Sequence, residues 1–233
     1  PVDESLYVIG GFIGTHPGVM TDHVWIYNTK SGSWIQGVPL PEARGAGVAV
    51  LRDREIHFIG GATRIGQEHI SEDKGEHWVL NVDSGSQWAE KAPLPNPRNH
   101  LSGGVLGNKV YVVGGQFLDG EVNGNQALVH RYDPATDSWE RVVDVLYPVS
   151  HATATTIILN DKLFVIGGLT NGHQAVQSIV GYDPEENTWK KYGELPQALN
   201  SAVAGVMNGT IIVSNGRDHQ FQLESETWQA DLQ

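Results

Sequence analysis

An all-β chain of five repeated units is what this sequence predicts, and three observations predict it. A short apolar run ending in two glycines recurs at residues 6–11 (LYVIGG), 56–61 (IHFIGG), 110–115 (VYVVGG) and 163–168 (LFVIGG), with a degenerate fifth copy at 211–216 (IIVSNG). The closing glycines stand at 11, 61, 115, 168 and 216, so the spacings are 50, 54, 53 and 48 residues, a period that marks a repeat architecture. Each copy is followed by a tryptophan, at Trp34, Trp88, Trp139, Trp189 and Trp228. Seven residues before four of these stands an aromatic residue: Tyr27, Tyr132, Tyr182 or Phe221. The second copy departs, with Asn81 at that offset.

Each unit reads as four short strands. The runs last four to eight residues, favour Val, Ile, Tyr and Phe, and are bounded by Gly, Asn, Asp and Pro, and no segment carries a 3.6-residue period. A first strand of small residues is expected at 46–51, 101–106, 152–159 and 202–207, where Gly, Ala and Thr suit strands that converge on a crowded axis. Turns at Asn108-Lys109, Asn160-Asp161 and Asn208-Gly209 join it to the second strand as a hairpin. That second strand is almost continuously apolar, as a strand covered on both faces must be. The double glycine permits positive φ where the strand turns away. The third strand carries the aromatic residue and the fourth the tryptophan, large enough to fill the wide gap between the outer parts of neighbouring sheets. The architecture is therefore a β-propeller with five blades.

The first unit begins at its second strand, because only residues 1–4 precede Leu6. The first blade is expected to lack its inner strand. Residues 1–233 read as a single propeller domain: an incomplete ring, part of a longer chain, a ring completed by another chain, or a true five-bladed ring with a three-stranded first blade.

Composition excludes several functions. Fifteen Lys and Arg stand against 27 Asp and Glu, a formal net charge of -12, which repels nucleic acid unless a basic stripe exists, and none does. No window approaches the roughly 18 to 20 apolar residues of a membrane helix, so a soluble chain without membrane insertion is expected. With no cysteine there is no disulfide, thiol nucleophile or thiolate metal site.

The hydrophobic-Gly-Gly runs, the Tyr132-Asp133 and Tyr182-Asp183 pairs ahead of Trp139 and Trp189, and Pro97-Arg98 resemble the kelch-repeat family of β-propellers over residues 4 to 232. The stretch 93–116 is most similar to secreted or cell-surface members of the broad galactose-oxidase-like group, which implies an extracellular or cell-surface location. The copper site of that group needs a cysteine, and the Glu-x-x-x-Asp-x-x-x-His iron motif of the plant specifier type is missing. The mutarotase type has no short motif to exclude.

The loop from Asp119 to Asn125 has oxygen ligands at alternate positions, but the twelfth position is His130 where calcium needs a bidentate carboxylate, so a solvated turn is expected. No metal and no cofactor is expected. The sequon Asn208-Gly209-Thr210 lies in a hairpin turn. His57 and His130 fall inside strands and read as structural, while His16, His23, His69 and His77 read as solvated. His100 and His151 differ, because each begins an inner strand after an outer-to-inner connection. Arg44, Arg98 and Asn200 occupy the same connection, and the loops after the glycine pairs add Arg64, Gln116, Asn171, His173, Arg217 and Asp218 on the same axial face. Such residues suit a carboxylate, a sugar or an acidic peptide. The equally weighted alternative is that Arg44 and Arg98 only bond loop carbonyls at blade junctions.

The leading expectation is a non-catalytic binding scaffold holding a glycan, an acidic small molecule or a protein segment through Arg44, Arg64, Arg98, His100, Gln116, His151, His173 and Arg217. One alternative is an enzyme acting on a sugar or sugar acid, of mutarotase or lyase type, with an axial histidine as acid or base. The other is a structural subunit completed by another chain.

Overall fold

Blades 2 to 5 each open on a hairpin. In the computed structural model, which describes residues 1–14, 18–65, 70–117, 124–220 and 222–231, the tips Gly107-Asn108, Asn160-Asp161 and Asn208-Gly209 have positive φ at both residues. That turn has the twist of the strands it joins, which is why Asn, Asp and Gly occupy it. His16, His69, Phe221 and the loop residues from Asp119 to Asn123 lie outside the described residues.

The strands form five antiparallel blades of the β-propeller type. Blade 1 holds Ser5–Ile9, Val24–Asn28 and Ser33–Gln36, that is, the second, third and fourth strands without an inner one. Blade 2 runs from inner to outer as Val48–Arg52, Glu55–Ile59, His77–Asn81 and Ala89–Lys91. Blade 3 is Ser102–Leu106, Lys109–Val113, Val129–Asp133 and Ser138–Arg141. Blade 4 is Thr156–Leu159, Lys162–Ile166, Gln174–Asp183 and Thr188–Leu199, preceded by a 3-10 turn at Thr153–Thr155 that shortens the expected inner strand. No helix among the described residues is long and apolar enough to cross a membrane.

Three further details differ from the expectation. The turn of blade 3 is Gly107-Asn108, one residue before the expected Asn108-Lys109, because Leu106 pairs with Lys109. In blade 5, Val203–Met207, Thr210–Ser214 and Thr227–Ala230 pair in that order, so Trp228 lies opposite Val213 in the third strand and not in a fourth. Strand pairing decides the position, and spacing from the glycine pair does not. In blade 2 the residue opposite Trp88 is set by the register Trp78↔Glu90 and Val79↔Ala89, which puts Leu80 where blades 1, 3 and 4 have tyrosine. Asn81 instead accepts the backbone N–H groups of Asp83 and Ser84 in the following turn.

Alternation along the second strand gives every blade two faces. The leading face carries Leu6 and Val8 in blade 1, Ile56 and Phe58 in blade 2, Val110 and Val112 in blade 3, Leu163 and Val165 in blade 4, and Ile211 and Val213 in blade 5. The trailing face carries Tyr7/Ile9, His57/Ile59, Tyr111/Val113, Phe164/Ile166 and Ile212/Ser214.

The chain forms two compact units, residues 1–99 with blades 1 and 2 and residues 100–233 with blades 3 to 5. In the first, Ile56, Phe58, Trp78, Leu80 and Trp88 of blade 2 pack on Tyr7, Ile9, Val24 and Ile26 of blade 1. In the second, Leu163, Val165, Tyr182 and Trp189 pack on Tyr111, Val113 and Val129, and Ile211, Val213 and Trp228 pack on Phe164, Ile166 and Ile179. The tryptophan indoles also cross the junction with a hydrogen bond: Trp88 donates to the Val38 carbonyl at 3.1 Å and Trp189 to the Val143 carbonyl at 3.2 Å.

The double glycine is the second fastening. The first glycine N–H bonds the residue just before the third strand of its own blade, Gly114 to the Leu128 carbonyl at 2.9 Å, and the second bonds the connection into the next blade, Gly115 to the Val149 carbonyl at 2.8 Å. The same bond recurs as Gly11 to Arg44, Gly61 to Arg98 and Gly168 to Leu199. Both residues have positive φ, 60° at Gly114 and 99° at Gly115. A Cβ on Gly114 would stand 2.1 Å from the Val149 oxygen, so the motif is glycine for reasons of contact as well as conformation.

Candidate functional site

The connection into blades 2, 4 and 5 meets the loop that follows that blade's own glycine pair. Gly45 bridges to Ala62, Ser150 to Leu169 and Asn200 to Arg217. The residue after each connection turns through the left-handed region, with φ of 54° at Ala46, 50° at His100, 55° at His151 and 53° at Ser201. Four equivalent non-glycine residues in a sparsely occupied region show a conformation imposed by the repeat.

In the first unit the arginines bond neighbouring carboxylates and loop carbonyls. Arg44 is fully buried, donates to Glu76 at 2.9 Å and Glu42 at 2.8 Å, and stacks 4.6 Å from the Trp78 ring centroid. Two carboxylates and an aromatic face together offset the desolvation of a buried guanidinium. Arg98 is also fully buried and donates to the carbonyls of Pro95 at 3.2 Å and Asn96 at 3.0 Å. Arg64 donates to the Gly18 carbonyl, which ties the loop after the second glycine pair to that after the first. His77, expected to be solvated, is fully buried, and its Nε2 lies 2.8 Å from Nδ1 of His57. The cause is the register, which sets both rings on the trailing face of blade 2. His130 is buried on the leading face of blade 3.

In the second unit His100 and His151 stack, with ring centroids 4.0 Å apart and planes at 19°. Asn125 Nδ2 donates to the Leu169 carbonyl at 2.9 Å, which fixes the amide and leaves Oδ1 to accept the Ser150 hydroxyl at 2.8 Å. With that proton spent, the 2.7 Å contact between Ser150 Oγ and His151 Nδ1 has the imidazole donating. The neutral ring then presents Nε2 as an acceptor. Burial first, and then the electrostatic influence of the neighbouring His173 and Arg217, push His151 down to about 4; burial and His151 push His100 down to about 3. Both are neutral near pH 7.

Beside this relay lies a cleft of about 240 Å³ lined by Gln116, Phe117, Asn125, Thr170, Asn171 and His173. Asn171 accepts the Asn125 backbone N–H at 3.0 Å, so the cleft and the histidine pair share one residue. Arg217 is exposed and lines a second, open cleft with Ser201, Asn215 and Glu224. The structure thus brings Gln116 with His173, and His100 with His151. Ser150 and Asn125 were not legible as site residues, because their pairing depends on how blades 3 and 4 pack.

The buried histidines give a pH prediction. His57, held down to about 3 by burial and by His77, joins His100 and His151 as a group with a folded pKa below its unfolded value near 6.5. The unfolded chain therefore binds more protons below about pH 6.5, and stability present above that pH falls as pH drops, by up to about 1.4 kcal/mol per pH unit for each such histidine. Urea midpoints at pH 7 and pH 5 measure it, and equal midpoints would contradict neutral burial.

Glycine pairs, aromatic residues and tryptophans in five antiparallel blades define a β-propeller-type protein. A model of the kelch motif matches residues 2–41, 97–145 and 151–196, more than half of the sequence, and the chain belongs to the kelch family. It is 24% identical over 91% of its length to a kelch repeat-containing protein of Arabidopsis thaliana, of which it covers 54%. It is 26% identical over 97% of its length to Kelch-like protein 25 of Xenopus tropicalis and 24% over 98% to Kelch-like protein 35 of Mus musculus, covering 38% and 36% of them. The chain spans about a third to a half of the length of these relatives.

Proposed function

We propose that the chain is a non-catalytic scaffold that holds a segment of a protein partner at the end of the blades where connections and post-glycine loops meet. The observation that carries this reading is the cleft lined by Gln116, Asn125, Asn171 and His173, since side-chain amides offer a donor and an acceptor each, the complement of a peptide backbone. His151 adds an acceptor through Nε2 and Arg217 an exposed guanidinium for a carboxylate on the same segment. Arg44, Arg98 and Arg64 act in this reading as braces behind the loops, their guanidiniums bonded to carboxylates or carbonyls. A glycan or an acidic small molecule is the competing ligand class, and an extracellular or cell-surface location would accompany it. An enzymatic role is less well supported, because an imidazole pushed down to about 4 is a weak general base at neutral pH.

The test is selection of peptides against the folded chain from a random display library, run beside a glycan array. The selected peptides are expected to bind the Gln116→Ala/His173→Ala variant at least about tenfold more weakly, a loss of about 1.4 kcal/mol. The thermal midpoint should stay within a few degrees, because Gln116 is only half-buried and His173 is exposed, and neither belongs to a blade core. Peptides that bind the variant equally well, or binding confined to the glycan array, would overturn the proposal.

A further inference from the structure

We infer that His151 Nε2 takes a backbone N–H of the bound segment, and that Ser150 and Asn125 are the positioning residues that fix the ring for it. The inference rests on the reading of this end of the blades as a peptide-holding site, and adds which edge of a peptide unit must face the histidine.

The chain of donors has one direction. Asn125 Nδ2 can only donate and is spent on the Leu169 carbonyl at 2.9 Å, so Oδ1 is the atom turned to Ser150. The Ser150 hydroxyl carries one proton, which that Oδ1 receives at 2.8 Å. Ser150 Oγ is left with lone pairs for the His151 ring at 2.7 Å, and the single ring proton of the neutral imidazole therefore sits on Nδ1. Ser150 is fully buried, and its backbone N–H and carbonyl bond Leu169 at 2.9 and 2.8 Å, so the residue that sets the ring is itself held from both sides.

The other nitrogen is the one left for a ligand. His151 is half-buried, and no group among the described residues bonds its Nε2. Its ionisable neighbours are His100, stacked on its face, His173 and Arg217; burial and these neighbours keep the ring neutral near pH 7, so Nε2 only accepts. His151 also stands between the two clefts. Its carbonyl accepts the N–H of Ser201, which lines the cleft of Arg217, while Asn125 lines the cleft of Gln116. A segment that occupies both clefts crosses His151. A carbonyl or carboxylate placed against Nε2 would set lone pair against lone pair, so the peptide unit there turns its N–H to the ring and its C=O away.

Two measurements test this. Long-range proton–nitrogen NMR correlations of the histidine-labelled chain at pH 7 report which ring nitrogen holds the proton, with His151 assigned by the signals missing from His151→Phe. The parent should show a protonated Nδ1 and a bare Nε2. Ser150→Ala, which removes the acceptor for that proton, should shift His151 to a mixture of tautomers; if that variant does not fold, the parent spectrum and the second measurement decide. In the second, peptides selected against the folded chain are N-methylated at one backbone nitrogen at a time. Methylation at one position should weaken binding to the parent about tenfold, because it leaves the acceptor unpaired, and weaken binding to His151→Phe less than about threefold. A proton on Nε2 in the parent, parent-like signals in folded Ser150→Ala, or methyl effects equal in both proteins would overturn the inference. If selection yields no peptide, the peptide-holding reading falls and this inference with it; if it yields peptides that lack such a position, this inference alone falls.

Discussion

Trp189→Ala is expected to destabilise the chain by about 3 to 5 kcal/mol, the loss usual for a large buried aromatic, while Trp34→Ala should cost about 1 kcal/mol or less. The two residues hold the same place in the repeat. Trp189 is buried between blades 3 and 4, lies 5.3 Å from the Tyr182 ring and bonds the Val143 carbonyl, so its removal leaves both a cavity and an unpaired carbonyl at the junction. Trp34 lies 4.9 Å from the Tyr27 ring with more than half of its surface in solvent. Denaturant unfolding followed by circular dichroism measures both. Equal losses would mean that the tryptophans do not act through the blade junction.

Gly114→Ala should cost about 2 to 5 kcal/mol, from about 1 to 2 for an alanine held in the left-handed region and about 1 to 3 for forcing two packed blades apart. The added methyl would meet the Val149 oxygen at 2.1 Å, and backbone on both sides prevents either partner from yielding cheaply. Gly205→Ala is the control: it lies in a strand, and nothing stands within 4 Å of its added Cβ. That variant should match or slightly exceed the parent in stability, since alanine lowers the entropy of the unfolded chain. If both variants unfolded at the parent's midpoint, the glycine pair would not be the fastening described here.

The sequence by itself determined the repeat, the strand character of each unit, the hairpin tips to within one residue and the alternation that gives each blade two faces, because these depend on residues within a few positions of each other. Asn160-Asp161 needs no distant partner to form its turn. A five-residue strand such as 162–166 points Leu163 and Val165 one way and Phe164 and Ile166 the other wherever it lies. Tertiary structure alone decided the rest. Trp228 is a third-strand residue because Val213 takes it as partner, and no spacing rule contains that choice. Arg44 looks like a loop cation until Glu76, 32 positions away, and the Trp78 ring close over it. His151 acquires its tautomer from Asn125 through Ser150, across the junction of two blades. Local backbone geometry is set by short-range sterics that the sequence displays directly. The state of a buried charge or ring depends on which distant groups replace its water, and only the packed blades bring those groups together.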